Sequence, residues 1–464
     1  MRVRLSNYLL VLLGLFLFAV AAQAATPQPG YPVPQIIGPT HPSAVVPGSL
    51  HFTLDVYGAN FINGSVVNWN GSPRTTTFLS GHHLRAQINA ADVVSPTSGF
   101  VTVTTNSPNG PIKSSTYAQV LVHTPTSGLT LGTSTQYIVL GEAAMLPGDL
   151  SGRNLLDLTV DSNSGNPGFT ALVNNGDGTF QIGPQFANDY YGGGGGLGDF
   201  NGDGNLDLVY TEGPQSSNSL QMEAALGLGG GIFNTGAKFD MTCCSPPQLV
   251  VGDFNQDGIL DVVTLNGYKN ALFLGNGDGT FRQGQTLNIP DGIVSAADLN
   301  NDGKLDLVFS NANVFGSGLQ FMLGNGDGTF QRARTVKKNV SVGLIFITDL
   351  NSDGNEDIVF SALNEIWVVR GNGDGTFRKA VVYPTAVGIP TVGDFNSDGA
   401  VDIGLVMTGG VDYMAGKGDG TFGTAQIVPF SGFFPTNAAV GDFNADGLLD
   451  LSISGNGINV FLQP

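Results

Sequence analysis

Residues 198–209 read GDFNGDGNLDLV, which puts Asp199, Asn201, Asp203 and Asp207 at the first, third, fifth and ninth positions of one short turn. At the ~4–8 Å separations such a turn allows, three carboxylates repel one another unless a cation lies between them. No Lys or Arg stands in the segment to serve. Oxygen-bearing side chains at alternate positions converge on one point, and glycine at the sixth permits a sharp reversal, which together make a site for a hard divalent ion. Calcium is the expected ion, because it accepts six or more oxygens in flexible geometry where magnesium demands a tight octahedron. The twelfth-position Glu of an EF-hand is missing and no helical pattern flanks the turn. The competing account, an Asx-type turn with surface acids, needs one Asp or Asn and not four at fixed spacing.

The pattern recurs five more times, as Asp253, Asn255, Asp257, Asp261; Asp298, Asn300, Asp302, Asp306; Asp349, Asn351, Asp353, Asp357; Asp394, Asn396, Asp398, Asp402; and Asp442, Asn444, Asp446, Asp450. About six calcium ions are therefore expected. A degenerate copy upstream keeps Asp149 and Asp157 but has Arg153 at the fifth position, where its charge replaces a ligand. First aspartates are spaced by 50, 54, 45, 51, 45 and 48 residues. Twenty aspartates, of 37 acidic residues in all, lie in these seven turns, so much of the net charge of −19 is ligand and not repulsive surface.

Elements of one kind must position the turns. In the third copy LVVGDF precedes the acidic turn and LDVVTL follows it, then come ALFLGNGDGTF and QGQTLNI: four short apolar runs per period, a four-stranded antiparallel unit. A GDGTF segment, at 176–180, 277–281, 326–330, 373–377 and 418–422, is expected as a two-residue hairpin turn with positive φ. Sixty-eight glycines and few charged residues agree with an all-β chain. Seven units of this size predict a seven-bladed β-propeller with calcium-binding loops. The last unit lacks a fourth run, and Leu129–Leu140 is placed to supply it and close the ring.

These repeats resemble the FG-GAP/VCBS repeats of integrin α-chain propellers and of many secreted bacterial proteins, over roughly 129–464. The resemblance implies that the first, third, fifth and ninth side chains and the seventh carbonyl bind Ca²⁺, with the first turn departing at Arg153.

Ahead of the propeller, 34–123 alternates apolar and polar residues in runs such as HFTLDVYG and GFVTVTT, predicting a small β-sandwich with Phe61 and Trp69 in its core. The pieces YGANFINGSVVNWNG resemble an IPT/TIG-type immunoglobulin-like domain. Residues 25–33 form a Pro-rich leader and 124–128 a hinge. At the start, Arg2 and Arg4, the apolar stretch 8–22 and Ala22-Gln23-Ala24 read as a cleavable signal peptide over 1–24, which predicts a secreted, periplasmic or cell-surface protein. No second apolar span follows, so no stable membrane insertion is expected. Cys243 and Cys244 are read as a loop pair and not as part of a disulfide framework.

The sequence points away from catalysis. All five histidines lie in the front domain, and the propeller has no nucleophile elbow, zinc motif or phosphate loop. His82-His83 is read as two surface residues pointing to opposite faces. The acidic balance, with no evident cluster of Lys and Arg, argues against a nucleic-acid partner. The remaining class is a protein- or glycan-binding, adhesion-type module. Its alternatives are a polysaccharide-active lyase or glycosidase using paired carboxylates and a structural matrix component. Antiparallel strands alternate ends, so the acidic and GDGTF turns share one face and irregular connections the other. The irregular face is where partner specificity is expected, and its candidate contacts are Tyr190, Tyr191, Phe315, Tyr383, Phe430, Phe433 and Phe434.

Overall fold

The computed structural model describes residues 26, 28–139, 142–162, 168–186, 194–212, 221–241, 248–265, 270–289, 292–311, 318–430 and 432–464. Proposals for 1–24, Cys243, Cys244, Tyr190, Tyr191 and Phe315 lie outside these residues. The described chain is all-β apart from one 3₁₀ turn at Ala90–Val93. Among the described residues no helix is long and apolar enough to cross a membrane.

Two sheets form first. Gln35–Ile36, Phe52–Ala59, His83–Ile88 and Thr76–Ser80 make one, and a second is built around Thr97–Ser107, paired with Ser65–Trp69 and Ala118–Val122. Alternation does this directly: in Phe52–Ala59, Leu54 and Val56 point inward and are fully buried, while Thr53 faces water. The inward residues of both sheets meet in one core with Phe61 and Trp69, which are 3% and 2% exposed. Gly99 is required there, since a Cβ at that position would sit 2.2 Å from the Trp69 ring.

Seven further sheets follow, six of them built from strands consecutive in sequence. The first comprises Glu142–Gly148, Asp157–Ser162, Gly168–Asn174 and Phe180–Phe186; the third comprises Gln248–Gly252, Asp261–Leu265, Ala271–Gly275 and Phe281–Thr286. In every sheet the ninth residue of the acidic turn opens the second strand. The last sheet has only three strands of its own, Asn437–Gly441, Asp450–Ser454 and Ile458–Phe461; its fourth is Ser134–Tyr137, which pairs antiparallel with Ile458–Phe461. First strands of neighbouring sheets lie against one another, and Glu142–Gly148 of the first sheet packs against Asn437–Gly441 of the last. The run of sheets thus returns to its start, a β-propeller-like arrangement.

Recurring phenylalanines lock the sheets together. The Phe that follows the first aspartate of one sheet meets the GDGTF Phe of the next edge-on: Phe200 with Phe281 at 5.5 Å, Phe254 with Phe330 at 5.7 Å, and Phe443 with Phe180 at 5.6 Å across the ring closure. Each such pair adds about 0.5–1.5 kcal/mol beyond the area it buries. Backbone bonds stitch the same joint: the amide of Gly279 donates to the Phe200 carbonyl and that of Gly328 to the Phe254 carbonyl.

The GDGTF turn differs from its two-residue expectation. Asn276 N donates to the Thr280 carbonyl across three residues, with Gly277 and Gly279 both at φ +79°, and Asp278 Oδ1 accepts from the Thr280 amide. The loop is longer because the aspartate must bend back onto the threonine two residues later.

Candidate functional site

Each acidic turn is a cage of backbone amides around its first aspartate. In the turn of Asp199, Oδ1 accepts from Gly202 N at 2.7 Å and Asp203 N at 3.1 Å, while Oδ2 accepts from Gly204 N at 2.9 Å. Two residues with positive φ curl the amides inward: the sixth, such as Gly258 at +85°, and the fourth, such as Gln256 at +56°. Sequence reasoning identified the sixth position and missed the fourth, because Gln, Asn, Ser and Ala stand there as well as Gly. The third and fifth side chains are linked, Asn201 Nδ2 donating to Asp203 Oδ2 at 3.0 Å, and the same pair forms at Asn255, Asn351, Asn396 and Asn444 with Asp257, Asp353, Asp398 and Asp446. In the remaining full copy Asn300 Oδ1 accepts from Asp302 N, and Asp302 N also reaches Asp298 Oδ1.

The ninth aspartate does something the sequence reading did not assign to it. Expected to close a ligand shell, it is turned toward two amides: Asp207 Oδ2 accepts from Phe200 N and Oδ1 from Gly227 N, at 2.8 and 2.7 Å. Asp261, Asp306, Asp357, Asp402 and Asp450 repeat the arrangement. Each straps the turn to the end of the third strand. As the side chains stand, no three acidic, histidine or cysteine groups among the described residues converge at metal-binding distance.

Burial makes these carboxylates costly to ionise. Desolvation, with the charges of the first and fifth aspartates, pushes Asp207, Asp357 and Asp402 up to about 7 and Asp306 and Asp450 up to about 8. Desolvation also raises the first aspartates Asp253 and Asp298 to about 7 and Asp394 and Asp442 to about 6. The donor set therefore fits a hard cation: all its ligand-grade atoms are oxygens, carboxylates keep lone pairs beyond those the amides use, and desolvated charge awaits compensation. The first turn does not fit. There Arg153 Nε donates to Ser151 Oγ, Nη2 donates to the Asn174 carbonyl, and Nη2 lies 4.0 Å from Asp157 Oδ1, so the chain supplies its own cation.

The acidic-turn face is also where the front sheets dock. Val33 N donates to Asp253 Oδ2 at 2.9 Å, His41 Nε2 bonds Asp349 Oδ2 at 3.0 Å, and Ser43 Oγ donates to Asp394 Oδ2 at 3.1 Å. Gln119 Oε1 accepts from Asp442 N at 3.0 Å, and Asn60 N donates to the Gly303 carbonyl. The contacts fall on five successive turns, and in three of them on the outer oxygen of the first aspartate. Burial alone would raise Asp349, but the His41 hydrogen bond and charge hold it below the usual carboxylate value. The turn of Asp199 instead opens into a cavity of about 690 Å³, bordered by the front-domain segment 109–115 and by Gln28. His82 and His83 do not point apart as expected; both rings pack on Tyr57, at 6.2 and 4.4 Å, and His83 bonds Asp55.

Two of the partner candidates are not available to a partner. Tyr383 packs between the fifth and sixth sheets, edge-on to Phe422, whose amide donates to its hydroxyl. Phe430 is buried, stacked on Phe433 at 5.2 Å and close to Phe461. Phe433 is half-buried, and Phe434 stands 78% exposed. It is joined on the irregular-connection face by exposed Ile138, Leu344, Leu363 and Val387, which sequence reasoning passed over because they are isolated in loops.

Comparison with known proteins agrees with the strand pattern. The FG-GAP-like repeat model matches residues 253–309, 349–405 and 394–453. No curated protein sequence matches the chain. Among solved structures, a protein from Agrocybe aegerita described as recognising non-reducing terminal N-acetylglucosamine aligns with a TM-score of 0.47 and 18% identity, over 78% of this chain and 96% of that one. An auxiliary nutrient binding protein from Bacteroides ovatus aligns with a TM-score of 0.42 and 10% identity, over 94% and 99%. The chain carries FG-GAP-like repeats on a β-propeller-like fold.

Proposed function

We propose that the chain is an exported, calcium-loaded, seven-bladed propeller with an IPT/TIG-like front domain, and that it works as an extracellular binding module for a protein or glycan and not as an enzyme. One observation carries the reading: the front sheets occupy the acidic-turn face, which leaves the irregular-connection face, with its exposed apolar residues, to meet a partner. In each of the six full turns the first, third and fifth side chains and the seventh carbonyl would hold the ion. When bound, Ca²⁺ supplies the positive charge that the clustered carboxylates lack. The chain's own part is to orient those oxygens with amides and to couple each turn to its neighbour. Apolar side chains scattered singly are ordinary, but five on one face of a regular scaffold fit recognition.

Metal content and thermal unfolding test the first half of the reading. The full chain should bind about six calcium ions, and EDTA should lower the melting temperature by several degrees or more, as expected when a ligand binds only the folded state. No bound metal and no shift would overturn the calcium reading. For the second half, Leu363→Ser with Phe434→Ser should abolish binding to hits from a glycan or protein array while leaving melting unchanged. Retained binding would move the site elsewhere.

A further inference from the structure

Basic residues are scarce in this chain, 18 against 37 acidic ones, yet they are not spread evenly. Arg332, Arg334, Lys337 and Lys338 fall on or beside the outer strand of the fourth repeat sheet, Arg334–Lys338, and no acid occurs between Asp327 and Asp349. Arg378 and Lys379 approach from the fifth sheet. The expectation that no cationic cluster exists is thus corrected by the fold, which joins two short segments some forty residues apart.

Between these sheets runs a groove of about 390 Å³. Its walls carry Lys337, Arg378 and Lys379, its floor is Trp367 with Val336 and Val382, and no carboxylate lines it. Trp367 is fixed from three sides: its ring stacks on buried Phe360 at 5.8 Å, its Nε1 donates to Glu365 Oε2 at 2.9 Å, and Lys337 Nζ sits over the ring at 4.8 Å. The lysine is thereby held at the groove and not splayed into solvent. Arg378 is partly occupied, Nε donating to Asn372 Oδ1 and Nη2 lying 4.0 Å from Asp353. Among the described residues neither Lys337 nor Lys379 has a carboxylate within 4.0 Å.

We propose that this groove binds an acidic oligosaccharide, one bearing uronate or sulfate groups. The proposal rests on the reading of the chain as a glycan-binding module, on a surface separate from the irregular-connection face. Its volume lies in the range of small-ligand sites, an apolar floor suits the CH faces of a pyranose, and three cations on the walls suit anionic substituents. A nucleic acid fits less well. It carries a charge about every 1.7 Å of duplex, more than three cations can match.

The two tryptophans make the test direct, because Trp69 is buried in the front core and Trp367 reports on the groove. The calcium-loaded full chain is titrated with oligogalacturonate, a sulfated chondroitin oligomer, neutral maltohexaose and a short single-stranded DNA, with emission followed throughout. At least one acidic sugar should give a saturable change, maltohexaose none, and DNA at least tenfold weaker binding. Lys337→Ala with Lys379→Ala should weaken the acidic sugar at least tenfold without moving the melting temperature, while Lys113→Ala with Lys417→Ala should not. The response to the uronate or to the sulfated oligomer identifies the anion. If no acidic sugar binds, if the Lys337 and Lys379 variant binds as well as the parent, or if DNA binds as tightly, the proposal is overturned. If acidic sugar binding is lost in the Leu363→Ser and Phe434→Ser variant but kept in the lysine variant, the groove is wrong and the module reading survives.

Discussion

Replacing Asp306 by alanine should isolate the strapping role of the ninth aspartate. Asp306 is fully buried, and its two oxygens accept from Leu299 N at 2.9 Å and Gly324 N at 2.8 Å. Alanine leaves both amides buried and unpaired, at about 1–3 kcal/mol each, so the propeller transition should lose about 2–6 kcal/mol. Asp306→Asn keeps one acceptor and should lose about half as much. Asp327 is the control: it lies in the GDGTF turn of the same sheet, is exposed and bonds only Thr329, so its alanine variant should cost under about 0.5 kcal/mol. Urea unfolding followed by circular dichroism, in calcium and again in EDTA, measures both variants. A strap costs the same with or without metal. The reasoning is refuted if Asp306→Ala matches Asp327→Ala within about 0.5 kcal/mol, or if its penalty vanishes in EDTA, which would make Asp306 a ligand first.

Stability without metal should depend on pH in an unusual direction. Five of the ninth aspartates, Asp207, Asp306, Asp357, Asp402 and Asp450, rise from an ordinary value of 3.8 to about 7 or 8, so between those limits the folded chain holds more protons than the unfolded chain. Stability in EDTA should therefore be full near pH 4 and fall as pH rises toward 8; a melting temperature that climbs over this range would contradict the burial argument. Saturating calcium should flatten or reverse the trend, since the ion replaces the proton as the source of positive charge. Gly99→Ala drives a Cβ to 2.2 Å from the Trp69 ring and should destabilise the front domain by about 1–3 kcal/mol, seen as earlier exposure of Trp69 on heating. Phe330→Ala removes the edge-on partner of Phe254 between the third and fourth sheets and should cost about 3–5 kcal/mol in urea unfolding.

Repetition made the sheets legible, because seven copies of one grammar average out the ambiguity of any single apolar run. The strand at Ser134–Tyr137 could be placed for a similar reason, since the last repeat visibly lacked a partner for Ile458–Phe461. Within the turns, spacing told which residues converge but not which way they face. Asp207 reads identically whether it meets an ion or the amides of Phe200 and Gly227, and only the path of the third strand decides. The aromatics of the loop face misled because type does not encode burial: Phe430 and Phe434 are four residues apart, one buried and one exposed. The docking of the front sheets was hidden altogether. Val33, His41 and Ser43 carry no motif, and their partners lie 220, 308 and 351 residues away.

The pairing of Ser134–Tyr137 with Ile458–Phe461 has a consequence for how the chain is made. Every other repeat sheet is built from neighbours in sequence and can form as soon as its own fifty or so residues have emerged, but the last must wait for a strand synthesised before the first. Joining ends roughly 320 residues apart costs only about 2 kcal/mol more than closing a single repeat, since loop entropy grows with the logarithm of length. The delay is kinetic. Until residue 461 has been added, Ser134–Tyr137 has no partner strand, and its open edge can pair with another molecule.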